Sequence, residues 1–160
     1  MSDSPSLAIV SDAVAGDGLD RGTVAISGPA ERLLAELLAV PDAAVAGHED
    51  TYRLLIGVLL RDPGELEQLR ASTIAPLLAY DAGHETELLV TLRTFLARDG
   101  STTETAEAMK LHRHTVGYRL SRIHKISGLS PYESDGRERL SLGLKAAQIL
   151  AAWERLSQPG

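Results

Sequence analysis

Arg113, His114, Thr115, Tyr118, Arg119, Ser121, Arg122 and Lys125 lie within thirteen residues of one another. Each carries at least one hydrogen-bond donor, and no carboxylate occurs between Glu107 and Glu133. Donors without acids suit contact with a polyanion, because an interleaved Asp or Glu would repel it. Placed on a helix at ~100° per residue, Val116, Leu120 and Ile123 form one stripe. His114, Tyr118, Ser121 and Lys125 centre the opposite face, with Thr115 and Arg122 flanking it, Arg119 nearer the inner edge and Arg113 at the N-terminal end. On a duplex, His114, Tyr118 and Ser121 are placed to reach base edges. Arg113, Arg119, Arg122 and Lys125 are better placed for phosphates, although Arg also reads guanine.

The elements around this face must hold it outward. Ser101-Thr-Thr-Glu104 is a capping box, which starts a short helix to about Lys110. Ala106 is the small residue that a closely crossing second helix needs. Leu111, Val116 and Leu120 follow it at offsets of 5, 10 and 14, the apolar spacing of a helix-turn-helix. Lys110 stands where a turn glycine is common, so the turn must avoid or tolerate a left-handed backbone. The second helix runs from Arg113 to about Ile126 and is closed by Ser127-Gly128. Upstream, Leu88, Leu89, Leu92, Phe95 and Leu96 mark an amphipathic helix ended by Asp99-Gly100. Downstream, Ser130-Pro131-Tyr132-Glu133 reads as another capping box. A last helix from about Glu138 to Leu156 carries two apolar seams: Leu142, Ala146, Ile149, Trp153 and Leu156 on one, Leu140, Leu144, Ala147 and Ala151 on the other. Their combined width leaves room for a homodimer interface shared with the 51–60 helix.

Further upstream, Leu7–Val10 and Thr23–Ile26 are candidate strands. Gly28-Pro29 opens a helix with Leu33, Leu34, Leu37 and Leu38 on one stripe, and Pro41-Asp42 ends it. Thr51–Leu60 is strongly apolar. Asp62-Pro63 caps and starts the next helix, and Thr73–Tyr80 is a further short one. The expected fold is mainly α: a C-terminal helix-turn-helix bundle after a short N-terminal α or α+β segment. Its parts are a flexible leader at 1–22, a helical segment at 23–86 and a helix-turn-helix domain at 87–157.

The charge is divided unevenly along the 160 residues. Residues 1–87 hold 5 basic and 15 acidic residues, 88–127 hold 7 and 3, and 128–160 hold 4 of each, within a total of −6. A net of +4 inside an acidic chain suits a local polyanion-binding element. Hydrophobic residues at 44% and charged residues at 24% are those of an ordinary globular domain. Cysteine is absent, which excludes disulfides, thiolate metal sites and a cysteine nucleophile. His112 and His114, two apart, are expected on different helix faces, and His84-Glu85 lacks a second histidine four residues on, so no metal site is expected. There is no phosphate loop and no serine elbow. No enzymatic activity and no cofactor are expected. Met1–Pro5 lacks a signal-peptide pattern, and no apolar run approaches ~20 residues. The expected protein is cytoplasmic, with double-stranded DNA as partner and no membrane partner.

Glu87–Leu96, Thr105–Ala108, His112–Leu120 and Ile123…Gly128 together resemble the C-terminal helix-turn-helix of PucR/CdaR-type bacterial transcription regulators. Tyr52–Leu55, Leu77–Asp81 and His84–Leu88 resemble the tail of the GGDEF-like domain that precedes it. The resemblance spans roughly residues 47–150 and is specific over 87–128. It implies a DNA-binding regulator, often of catabolic or secondary-metabolism genes, with sensory sequence N-terminal to this part. The stretch before residue 87 is shorter than a full sensor plus a full GGDEF-like domain, so a fragment or a truncated member is expected. No Gly-Gly-Asp/Glu-Glu-Phe sequence occurs, so cyclic dinucleotide synthesis is not expected. The competing expectation is a helical protein-interaction module that keeps the helix-turn-helix shape without binding DNA.

Overall fold

The computed structural model describes residues 28–39 and 48–159. The two candidate strands, the leader and the Pro41-Asp42 break lie outside them. Among the described residues every regular element is a helix: α1 (Gly28–Ala39), α2 (Glu49–Arg61), α3 (Pro63–Thr73), α4 (Ala75–His84), α5 (Leu88–Ala97), α6 (Thr102–Met109), α7 (Arg113–Ser127) and α8 (Ser134–Ser157). The described residues fall into two compact units, those up to Glu67 together with 148–159, and residues 68–147.

In the first unit, the leucine stripe of α1 buries Leu33, Leu34 and Leu37, and α2 buries Tyr52, Leu55, Ile56 and Leu59. The end of α8 adds Ile149 and Ala152. The Tyr52 hydroxyl donates to the Gln148 carboxamide oxygen. Arg53 pairs with Glu49 at 2.8 Å, and Arg155 with Glu36 at 3.1 Å. These exposed pairs are worth at most about 1 kcal/mol each, so the buried leucines carry this unit. As expected, Asp62 starts α3: its Oδ1 accepts the Gly64 N–H at 2.9 Å, with Pro63 at the first helical position.

The second unit is built around α5. Leu88, Leu92 and Phe95 are fully or nearly fully buried against Leu77, Ala106, Val116, Leu120, Ile123, Leu140 and Leu144. The start of α5 is fixed by a residue outside it. The Asp81 carboxylate accepts the backbone N–H groups of Leu88 and Leu89, both at 3.0 Å, and the Thr86 hydroxyl at 2.6 Å. A carboxylate on two otherwise unpaired N-terminal donors also favours the positive end of the helix dipole. Its other end is pinned by Arg137 of α8. This guanidinium donates to the carbonyls of Pro131 and Tyr132 and lies 5.8 Å from the Phe95 ring centroid.

One expectation needs correction. Ser130–Glu133 forms a turn, with the Glu133 N–H donating to the Ser130 carbonyl, and α8 begins at Ser134. Gly136 explains why the helix can start so early: it rests directly on the Ser130 backbone, where any Cβ would come within 2.3 Å of the Ser130 oxygen. The two apolar seams of α8 are partly covered. Leu140, Leu144, Ala146 and Ile149 are buried, but Ala151 is exposed and Leu156 is 44% exposed. The buried stripe includes Gly143 and Lys145 instead. Burial holds the Lys145 ammonium below its ordinary pKa, and its Nζ donates to Ser141 Oγ at 2.7 Å. Of the segments likened to a GGDEF-like tail, Tyr52–Leu55 and Leu77–Asp81 lie in helices, as the helical reading of 23–86 expects, and His84–Leu88 spans the break between α4 and α5. Tyr52 and Leu55 are core positions of α2, and Leu77 is one of α4.

Candidate nucleic-acid interface

The expected cap of α6 is present: Ser101 Oγ accepts the Glu104 N–H at 3.2 Å. Ala106 and Thr105 are buried, and α6 ends at Lys110 in a left-handed conformation, φ 54°. The Lys110 N–H reaches the Glu107 carbonyl and the Leu111 N–H reaches the Ala106 carbonyl at 2.9 Å. These are the paired bonds of a Schellman turn. Lysine therefore tolerates the left-handed backbone rather than avoiding it. Its Cβ meets the steric penalty that glycine escapes. Lys110→Gly is expected to raise stability by roughly 0.5–1 kcal/mol, read as a higher urea midpoint with an unchanged slope.

His112 caps α7 with extended backbone, and its Nδ1 accepts the His114 N–H at 3.2 Å. Because His112 stands before the helix, the two imidazoles do not point to different faces. They stack at 4.9 Å with an interplanar angle of 14°. Val116, Leu120 and Ile123 are fully buried, and Gly128 closes the helix at φ 75°. The inner stripe and both ends of α7 are thus as expected.

The outward residues fall into three sets. Arg113, His114, Thr115, Ser121 and Lys125 are exposed, and Tyr118 is 63% exposed. Arg119 is held inward: its side chain is 20% exposed and its Nη1 lies 3.2 Å from both Glu87 Oε2 and Thr91 Oγ1. Arg122 is half-buried among aromatic rings. Its Nη2 donates to the Tyr118 hydroxyl at 2.9 Å, and its guanidinium lies 5.6 Å from the ring centroids of both Tyr118 and Tyr80. Tyr80 in turn stacks on His84 at 4.0 Å. Glu87, Thr91 and Tyr80 escaped the reading of the sequence, since each meets α7 across many residues of chain, and His84 with them, since it acts only through Tyr80. Only the inner-edge position of Arg119 hinted at a partner.

Two helices joined by a tight turn, the second with its apolar edge inward and its donors outward, define a helix-turn-helix. Residues 88–146 match the family described as the PucR C-terminal helix-turn-helix domain. The match begins at Leu88, so the GGDEF-like resemblance of the preceding segment finds no support. Among curated proteins, one from Thermomonospora curvata, described as "Uncharacterized protein in pkwA 5'region", is 35% identical over 83 residues. The shared stretch is 50% of this chain and 46% of that protein, so the chain matches about half the length of its relative. No solved structure matches. Among the described residues, no helix is long and apolar enough to cross a membrane.

Proposed function

We propose that this chain is a DNA-binding transcription regulator that lays α7 in the major groove, acts as a homodimer and works in the cytoplasm. The observation that carries the reading is the outward face of α7: Arg113, His114, Thr115, Tyr118, Ser121 and Lys125 stand exposed, with no acid among them. The family match at 88–146 supports the same reading. Arg113, Arg122 and Lys125 are assigned to phosphates, and His114, Tyr118 and Ser121 to base edges. Arg119 is assigned a smaller share, because Glu87 already offsets its charge. One α7 reaches few bases, and two copies about one DNA turn apart supply the rest.

Fluorescence anisotropy with duplex DNA between about 50 and about 200 mM salt tests this reading, and affinity is expected to fall by orders of magnitude. In Arg113→Ala/Arg119→Ala/Arg122→Ala the slope of log affinity on log salt is expected to shrink by about two rather than three, with Arg119 contributing least. Equal affinity of wild type and the triple variant removes the DNA reading and favours the protein-interaction module. Selection of bound genomic fragments, read for paired half-sites, tests the dimer.

A further inference from the structure

Arg122 differs from the other cations of α7 in how it is held. Arg119 is matched by a carboxylate, whereas Arg122 is held by aromatic groups on two helices: Tyr118, one turn earlier on α7, and Tyr80 on α4. Tyr80 is itself backed by His84, which packs ring on ring at 4.0 Å with an interplanar angle of 11° and has Nδ1 3.0 Å from the Tyr80 carbonyl. Tyr80 also packs against the core. A flexible arginine normally loses rotamer freedom when it binds an anion. Here the guanidinium is already confined before any ligand arrives. Ring faces and one hydroxyl leave its charge uncancelled, unlike a carboxylate. The Tyr118 hydroxyl occupies one donor of five, so the fork keeps donors for a phosphate.

We propose that Tyr80 is a positioning residue of the nucleic-acid interface: with Tyr118 it brackets Arg122 and presents that guanidinium as a preorganised phosphate anchor. The end of α4, outside the matched segment 88–146, then belongs to the working surface. The inference rests on the DNA reading above and adds a residue to it.

The test uses the full chain and a labelled mixed-sequence duplex. Tyr80→Leu is expected to weaken binding roughly three- to tenfold, the cost of leaving one long side chain to be ordered on binding. Tyr80→Phe keeps the ring and is expected to restore affinity. In an Arg122→Ala background Tyr80→Leu should have no further effect, which a merely structural role for Tyr80 would not produce. If Tyr80→Leu leaves affinity unchanged, or weakens binding equally with and without Arg122, the bracket is overturned while the DNA reading stands. If the wild type shows no salt-dependent binding, the DNA reading itself fails and the bracket with it. Should Tyr80→Leu not fold, relaxation of the Arg122 Nε–H in the free wild-type protein decides. An order parameter near the rigid value of ~0.85 supports the bracket, and one below ~0.6 overturns it.

Discussion

Replacing Gly143 with alanine is expected to destabilise the 68–147 unit by about 3 kcal/mol, the upper end of what overpacking a core costs. On an exposed helix the same change would gain up to about 1 kcal/mol, because alanine is the better helix former. The sign is reversed by proximity. A Cβ at Gly143 would stand 1.9 Å from Thr73 Oγ1, 2.7 Å from Thr73 Cβ and 3.0 Å from Ile74 Cγ1. Thr73 has nowhere to turn: it is fully buried, and its hydroxyl donates to the Leu69 carbonyl at 2.6 Å. Either that bond is lost or α8 lifts away from the junction of α3 and α4, which uncovers Ile74 and Leu144. For a unit of this size the loss corresponds to a melting temperature lower by roughly 10–20 °C. Thermal unfolding followed by circular dichroism measures it. Thr73→Gly added to Gly143→Ala removes both nearest atoms and is expected to recover part of the loss. A change under about 1 kcal/mol for Gly143→Ala alone would show that the helices can separate cheaply there.

Gly143 also shows where sequence reasoning stops. The helix-turn-helix was legible because its signals are local: the Ser101 cap, Ala106, the 5, 10 and 14 offsets and Gly128 all lie within one short stretch. The inner stripe of α7 followed from periodicity alone. What was not legible depends on residues that meet only after folding. Gly143 faces Thr73, Asp81 caps a helix that starts seven residues later, and Arg119 finds Glu87 across 32 positions. A glycine inside a helix of leucines and alanines is a faint signal of close approach, but it does not name the partner. The early start of α8 was hidden for the same reason. A Ser-Pro-x-Glu pattern looks like a cap until the Ser130 backbone is seen against Gly136. The histidine pair was misplaced because a cap residue does not follow the helical repeat: His112 has ψ 143°, and its ring turns back over α7.

The interface assigned to α7 makes its strongest demand at Ser121. This residue is exposed and lies between Tyr118 and Lys125 on the outward face. Ser121→Glu is expected to lower duplex affinity by at least about 100-fold, equivalent to about 2.7 kcal/mol, because a carboxylate carried into the groove toward the base edges lies in the negative field of both flanking phosphate backbones, and like charge brought together there costs several kcal/mol. The fold should not suffer. Glutamate is a better helix former than serine, and a glutamate four residues before Lys125 is the favourable orientation for an ion pair, so stability is expected to rise by a few tenths of a kcal/mol. That pair would also withdraw Lys125 from the phosphates, which adds to the loss. Ser121→Gln separates charge from bulk, since it has nearly the same size and can still donate. It is expected to change which sequences bind while keeping most of the affinity for mixed-sequence DNA, as befits a position near base edges rather than phosphates. Anisotropy titrations at one fixed salt concentration, beside melts of the same samples, resolve the three proteins. Binding by Ser121→Glu within about threefold of wild type would mean that phosphates never approach this face, and the groove would then have to be entered by some other part of the chain.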